Sequence, residues 1–416
     1  MNKGVIICVL LVGLISSSTC KITSWDPIQR ISENEVEKRL PLVHFCPTTN
    51  VTHIFWEEID NKKDLYLMYR VRLPNSTLTP TRCLDQEHPL AYYENVISVQ
   101  STDDGMHLFL AYGAYRVRSG KGCTKRNDDS CIEVFFTEST DGGATWSKPV
   151  RINRKEMYDT KHRCLPSMVF EKATGRIWIA YYIDMYAGMV VRRPDAKEFE
   201  SEQSLSLYMF GRILHMGYTH DSNANLTWLH MVWWEDDINR TKSIYYSRSN
   251  DSAENWARRN KLVDKYKGDN LPTIAVDNIA YEGAVYVQYS DEKEINILWS
   301  KDHGATWETK LKAGNAYTAY NAISICGRKG KKGKVFTTGP GMGIVSGFQK
   351  YFNAGDTDMT SLSYPFNTYK KIADLDIHCS IKENGEIVVN SIIFDSATNE
   401  LYLAHGIFDK IVKSEY

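Results

Sequence analysis

Residues 139–146 read Ser-Thr-Asp-Gly-Gly-Ala-Thr-Trp, and residues 300–307 read Ser-Lys-Asp-His-Gly-Ala-Thr-Trp. One frame, S-x-D-x-G-x-T-W, thus occurs twice with its fixed positions intact. They are Ser139, Asp141, Gly143, Thr145 and Trp146 in the first copy, and Ser300, Asp302, Gly304, Thr306 and Trp307 in the second. A third copy, residues 249–256, keeps Ser249, Asp251 and Trp256 and loses the Gly and the Thr. Each follows a run of strand formers: Val134-Phe135-Phe136, Ile244-Tyr245-Tyr246 and Ile297-Leu298-Trp299. A unit repeated at distant points of a long chain restricts it to architectures assembled from like modules.

The residue types in the frame fit a strand that turns back. A carboxylate at that point accepts backbone N–H bonds within the turn. Gly143 and Gly304 permit positive φ, and the Trp can fold back on the sheet. Catalysis is the competing role for paired Asp and Trp, but an active site is needed once and a turn is needed in every module. The frame therefore reads as a structural device.

Period-2 apolar runs separated by turn residues give a two-strand unit seven times. The first strands of the units begin at Val51, Val96, Ser167, His215, Thr273, Ile323 and Ile387. Their mostly ~50-residue spacing is that of a four-stranded blade. The fold class is all-β: a β-propeller of six or seven four-stranded blades, with seven favoured and a pair of β-sandwiches as the alternative. The sixth unit and residues 341–375 are the most weakly patterned part. The expected organisation is a signal peptide over 1–20, an N-terminal lead-in over 21–44 and one propeller domain over 45–416.

Lys3, the apolar run Val5 to Ile15 and the small-residue site Ser18-Thr19-Cys20 read as a cleaved secretory signal, with a retained anchor as the alternative. The run is too short to span a bilayer, so the expected setting is secreted and extracellular. Five N-glycosylation sequons agree, at Asn50, Asn75, Asn225, Asn239 and Asn250. Seven cysteines follow the signal, and Cys123 with Cys131, which bracket a polar loop, form the expected disulfide. No His/Cys set has zinc spacing, so neither a metal nor a cofactor is expected. Fifty basic against 51 acidic residues give no reason to expect a polyanionic partner such as nucleic acid.

The octet resembles the Asp-box, or BNR repeat, of the sialidase superfamily and other secreted β-propellers. That resemblance implies the fold and leaves the activity open. Sialidases resemble one another in an arginine triad that holds a carboxylate, an Asp acid/base, and a Tyr nucleophile assisted by Glu. Here Arg39-Leu40-Pro41 is similar to the family's Arg-Ile-Pro motif, which makes Arg39 a triad member. Lys62-Lys63-Asp64 resembles the region of the acid/base, which makes Asp64 that residue. Glu94 and Arg116 could supply a Glu and a second Arg. The competing reading is a solvated Arg39 before a strand and an ordinary turn residue at Asp64.

From Lys329 to Tyr416 there is no arginine, so a late third triad member would have to be Arg328. That gap argues against standard sialidase catalysis. The basic run 327–334 reads as a solvated hairpin tip, with anionic glycan binding as its functional alternative. Trp233-Trp234-Glu235-Asp236-Asp237 reads as outer-strand packing, with a sugar-stacking platform as the alternative. The expected function is recognition of an extracellular glycan or glycoprotein. An exo-sialidase using Arg39 and Asp64, and a scaffolding propeller subunit, are the alternatives.

Overall fold

β-Branched and aromatic residues on alternate positions make most of this chain strand, and each strand buries a face against the next sheet. A computed structural model describes residues 22–34, 36–59, 65–86, 97–115, 132–153, 165–183, 186–205, 214–236, 241–268, 272–278, 283–291, 294–315, 322–326, 334–340, 347–353, 360–361 and 372–408. Among these residues the strands form six antiparallel sheets of four strands and a seventh sheet of five.

Blade 1 comprises Lys38–Cys46, Val51–Ile59, Leu65–Arg72 and Arg82–Cys83; blade 2, Ile97–Ser101, Leu108–Tyr115, Ile132–Ser139 and Val150–Arg151. Blade 3 comprises Leu165–Glu171, Arg176–Ile183, Tyr186–Arg192 and Gln203–Leu205; blade 4, Leu214–Asp221, Leu226–Asp236, Lys242–Ser249 and Asn260–Tyr266. Blade 5 comprises Thr273–Asp277, Ala284–Asp291, Glu294–Ser300 and Glu308–Asn315; blade 6, Ala322–Cys326, Lys334–Pro340, Gly347–Asn353 and Thr360–Ser361. The first strand of each blade packs against the first strand of the next, and Ile372–Ile381 of the seventh returns to Lys38–Cys46 of the first. The result is a closed β-propeller with those first strands lining its axis.

Blade 7 takes Ile372–Ile381, Ile387–Asp395 and Glu400–Phe408 from the end of the chain and its outer edge from the beginning. Ile22–Trp25 pairs with Glu400–Phe408 through Ile22↔Phe408 and Trp25↔Gly406, and Gln29–Arg30 continues through Gln29↔Leu403. The segment expected to lead into the propeller is thus part of its sheet, and the expected boundary at residue 45 falls inside the first strand of blade 1. The same joint carries an ion pair: Arg72, 3% exposed, donates to Asp26 across 2.5 Å and to Gln29 across 3.1 Å.

An inner edge strand has free N–H groups, which are costly to leave unpaired away from water. This ring caps them with side chains from the preceding blade. Met168 N–H donates to Ser98 Oγ at 3.0 Å, Met216 N–H to Ser167 Oγ at 2.8 Å and Cys379 N–H to Ser324 Oγ at 3.0 Å. Across the closing seam the acceptors change. Val43 N–H donates to Asp376 Oδ2 at 2.8 Å, and Phe45 N–H to His378 Nδ1 at 3.1 Å.

The apolar core sits between blades rather than at the axis. Phe55, Tyr69, Phe109, Tyr112, Phe136, Ile179 and Val190 belong to one cluster that runs from blade 1 to blade 5. Side chains of this size contribute about 1.5–3 kcal/mol each when fully buried. Trp234, 5% exposed, belongs to that cluster, and Trp233, 0% exposed, belongs to a second one with Met189 and Met216, so the sugar-platform alternative is excluded.

Candidate functional site: the inner-strand mouth and the channel wall

The three octets close the turn between the third and fourth strands of blades 2, 4 and 5 in nearly the same way. Asp141 accepts from Ser139 Oγ at 2.8 Å, Thr145 N at 2.8 Å and Thr145 Oγ1 at 2.6 Å, while Ser139 Oγ accepts from Gly143 N at 2.8 Å. The Thr145 hydroxyl and amide hold the Asp141 carboxyl down at about 2. Asp302 repeats the set with Ser300, at 2.7 Å, and with Thr306 N and Oγ1, at 2.8 and 2.6 Å. In the degenerate copy Asn255 replaces the Thr, giving its N–H and Nδ2 to Asp251 at 2.9 and 2.8 Å.

The octets also lock blade to blade. Trp146 stands edge-on to Tyr69 of blade 1, with ring centroids 5.4 Å apart, and Trp307 stands edge-on to Tyr246 of blade 4 at 4.8 Å. Arg82 reaches from blade 1 to the carbonyls of Gly143 and Ala144, both at 2.6 Å, and Arg248 from blade 4 to that of His303 at 2.7 Å. Each Tyr hydroxyl is held from behind by a buried histidine: His53 at 2.8 Å and His230 at 2.7 Å.

Strand polarity separates two faces of the ring. The octets lie beside the turns that join first to second strands, as Gly142 N–H to Met106 O and His303 N–H to Gly283 O show, both at 2.9 Å. Asn50, Asn225, Asn75 and Asn250 occupy turns on this same face. Asn75, Asn225 and Asn250 are exposed, whereas Asn50 is half-buried. Antiparallel pairing puts the beginnings of the inner strands on the opposite face, where the described ends Ile59, Leu65, Ile97 and Tyr115 also lie.

Arg39 stands on that opposite face, one residue into its inner strand. Its Nε and Nη2 donate to Glu37 Oε1 at 2.8 and 2.6 Å. Asp64, Glu94, Arg116 and Arg328 lie outside the described residues, as do Asn239, Cys123, Cys131 and the basic turn 327–333. Other guanidinium groups are committed to structure. Arg192 grips Glu138 through two bonds of 2.9 and 2.6 Å, Arg259 grips Glu235 at 2.8 and 2.7 Å, and Arg151 pairs with Glu133 at 2.9 Å. Cys46, Cys83 and Cys379 are free thiols. Among the described residues no group of three or more His, Cys, Asp or Glu is placed to hold a metal ion.

The channel wall carries titratable groups that motif reading passes over. Asp376 and His378 come from the seventh inner strand, and His44 comes from the first. The His44 and His378 rings lie 4.8 Å apart, and His44 Nε2 meets Ser101 Oγ of blade 2 at 2.7 Å. Burial pushes the Asp376 carboxyl up to about 7, against the two backbone N–H bonds that pull it down. Burial, with the Lys172 charge adding to it, lowers His378 to about 4, and burial with His378, His53 and Lys172 pulls His44 well below its ordinary value. A carboxyl poised near neutrality beside neutral imidazoles can bind a polar ligand or exchange a proton. The signal was in the sequence: Asp374-Leu-Asp376-Ile-His378-Cys-Ser380 alternates polar and apolar residues with period two.

Among solved structures, a protein of unknown function from Dyadobacter fermentans matches with 12% identity and a TM-score of 0.54, over 92% of this chain and 98% of the other. An ulvan lyase, described as a polysaccharide lyase of a new family, matches with 10% identity and a TM-score of 0.54, over 90% and 94%. The shared fold is the β-propeller. The NanB sialidase of Streptococcus pneumoniae matches with 12% identity and a TM-score of 0.46, over 93% of this chain and 71% of the other. At such identities the likeness is one of fold alone. No family model and no curated relative matches the chain. Among the described residues no helix is long and apolar enough to cross a membrane.

Proposed function

We propose that this propeller is a secreted, N-glycosylated recognition protein that binds an extracellular glycan or glycoprotein on the face where its inner strands begin. The observation that carries the reading is the state of Arg39. It is the one residue of a carboxylate-holding triad that motif resemblance located and the structure describes, and it spends Nε and Nη2 on Glu37. A sugar carboxylate would have to compete with that pair. Three further observations support the reading. Polar groups line the channel wall, glycan acceptors are exposed on the opposite face, and the fold is shared with an ulvan lyase, a protein named for a carbohydrate substrate.

The test is binding of the purified chain to an immobilised glycan panel. Saturable binding to a defined glycan class, with the glycan recovered unchanged, is expected. Absence of binding to every glycan on the panel contradicts the reading. Mass spectrometry of the secreted chain checks the modification: Asn75, Asn225 and Asn250 are expected to carry glycans, and an unmodified chain retained inside the cell contradicts the assigned compartment.

A further inference from the structure

We propose that the seam between the seventh and first blades is an acid-responsive clasp, in which protonation of the facing pair His44 and His378 opens the ring at its point of closure. The two inner strands run side by side here, and the preceding-blade caps that serine hydroxyls provide at Met168, Met216 and Cys379 are provided by an ionisable pair instead. A serine hydroxyl accepts an N–H bond at any pH. An imidazole nitrogen accepts one only while it carries a lone pair.

Because His378 Nδ1 accepts from Phe45 N–H, the neutral ring must keep its proton on Nε2. A second proton goes to Nδ1, where it would face the amide hydrogen and abolish the bond. The His44 ring, 4.8 Å away, is then met by a second cation as it titrates. His44 itself can keep Ser101, since a hydroxyl can donate or accept, so the bond to Phe45 is the weaker point.

Among the described residues neither ring is paired with a carboxylate. From blade 7 the facing groups are Asp376, two residues away, and Asn390, which stands across the strand pair from His378 and is bonded to His405 at 2.9 Å. Blade 1 brings Cys46 and His53, blade 2 brings Ser101, Asp103 and Asp104, and blade 6 brings Ser324. Blade 3 contributes Lys172, which pairs with Asp103. Asp376 is held up to about 7, so through the acid range it is a neutral carboxylic acid.

The sign follows from linkage. His378 and His405 at about 4 and His53 at about 3 lie below the 6.5 of a free imidazole, and His44 is lowered in the same direction. The unfolded or opened state binds the extra protons, so the histidines' contribution to stability is full above pH 6.5 and falls as pH drops toward about 4. Asp376 works the other way: its raised carboxyl recovers stability as pH falls from about 7. One recovering group stands against four losing ones at this joint.

Hydrogen exchange read by mass spectrometry, with labelling times corrected for pH, tests the clasp on the full chain. Peptides from Lys38–Cys46 and Ile372–Ile381 are expected to lose protection between pH 6.5 and 4, ahead of Ala284–Asp291 and Glu294–Ser300 in blade 5. His378→Asn places an amide oxygen where Nδ1 accepts, and His44→Gln places an amide where Nε2 meets Ser101. The double variant is expected to move the seam's midpoint down by about one pH unit.

An unmoved midpoint, or loss of protection in all blades at one pH, overturns the proposal. If the double variant fails to fold, histidine-selective NMR titration of the wild type decides. Protonation of His44 and His378 at the opening midpoint supports the clasp, and a seam that opens while both stay neutral overturns it.

Discussion

A chain that begins at Ile31 is expected to lose cooperative folding, and a peptide of residues 22–30 added in trans is expected to restore it. Two costs add at this edge. Glu400–Phe408 loses both of its outer partners, leaving a nine-residue strand with open backbone groups. Arg72, 3% exposed, loses Asp26 and Gln29 and keeps Ser76 as a hydrogen-bond partner. Stripping a buried guanidinium of its carboxylate costs about 3–5 kcal/mol by itself, a large fraction of the ~5–15 kcal/mol that holds a typical protein together. Asp26→Ala isolates that term and should lower thermal stability without abolishing folding. A truncated chain that melts within a degree or two of the full one would contradict this account of closure.

Gly304→Ala is expected to cost about 3 kcal/mol, whereas Gly142→Ala should cost about 1 kcal/mol. Both residues have positive φ, +77° and +67°, so both substitutions incur the backbone term. They differ in what a methyl group would meet. At Gly304 it would fall 1.7 Å from the Tyr246 hydroxyl, which is pinned by His230, while at Gly142 its nearest neighbour is a carbonyl oxygen at 3.7 Å. The degenerate octet supports the comparison from within the chain. Ala253 occupies the same position there with φ of +63°. The register that places Tyr69 and Tyr246 in blades 1 and 4 places Met189 in blade 3, and Met189 and Ala253 share one apolar cluster. The Gly is thus tied to its facing Tyr. Equal melting temperatures for the two variants would show that Tyr246 yields freely and that the octet is not a blade-to-blade lock.

How much of this was legible follows from which side of each strand the sequence advertises. Blades 2 to 5 announce themselves, because their first two strands alternate or run apolar around short turns, and blade 6 shows the same unit more weakly. The first and last units were read one strand out of phase. Val51–Ile59 with Leu65–Arg72, and Ile387–Asp395 with Glu400–Phe408, are second and third strands, and the inner strands beside them were passed over. Lys38–Cys46 carries Lys, Arg, Pro and His without clean alternation, and Ile372–Ile381 alternates but sets two Asp and a His on its polar positions, so neither reads as the apolar run of a buried strand.

Of these polar residues, His44, Asp376 and His378 meet at the closing seam. The feature that hid the strands from pattern reading is the one that makes the seam chemically distinct. Closure by residues 22–30 was illegible for another reason: a strand of four residues whose partner lies almost four hundred residues away leaves no local signature. At the candidate site, motif resemblance located Arg39 but gave no hint of Glu37 as its partner, because a tripeptide match carries no information about which carboxylate sits beside it.

Turnover of a fluorogenic sialoside by the secreted, full-length chain, measured beside Arg39→Ala, tests the recognition account most directly. The Arg39–Glu37 pair is partly exposed, so the substitution should cost at most about 1 kcal/mol of stability and leave a folded protein for comparison. No release above buffer from either protein, with glycan binding intact in the wild type, is the predicted result. Turnover by the wild type that disappears in Arg39→Ala would make the chain an exo-sialidase and contradict the account.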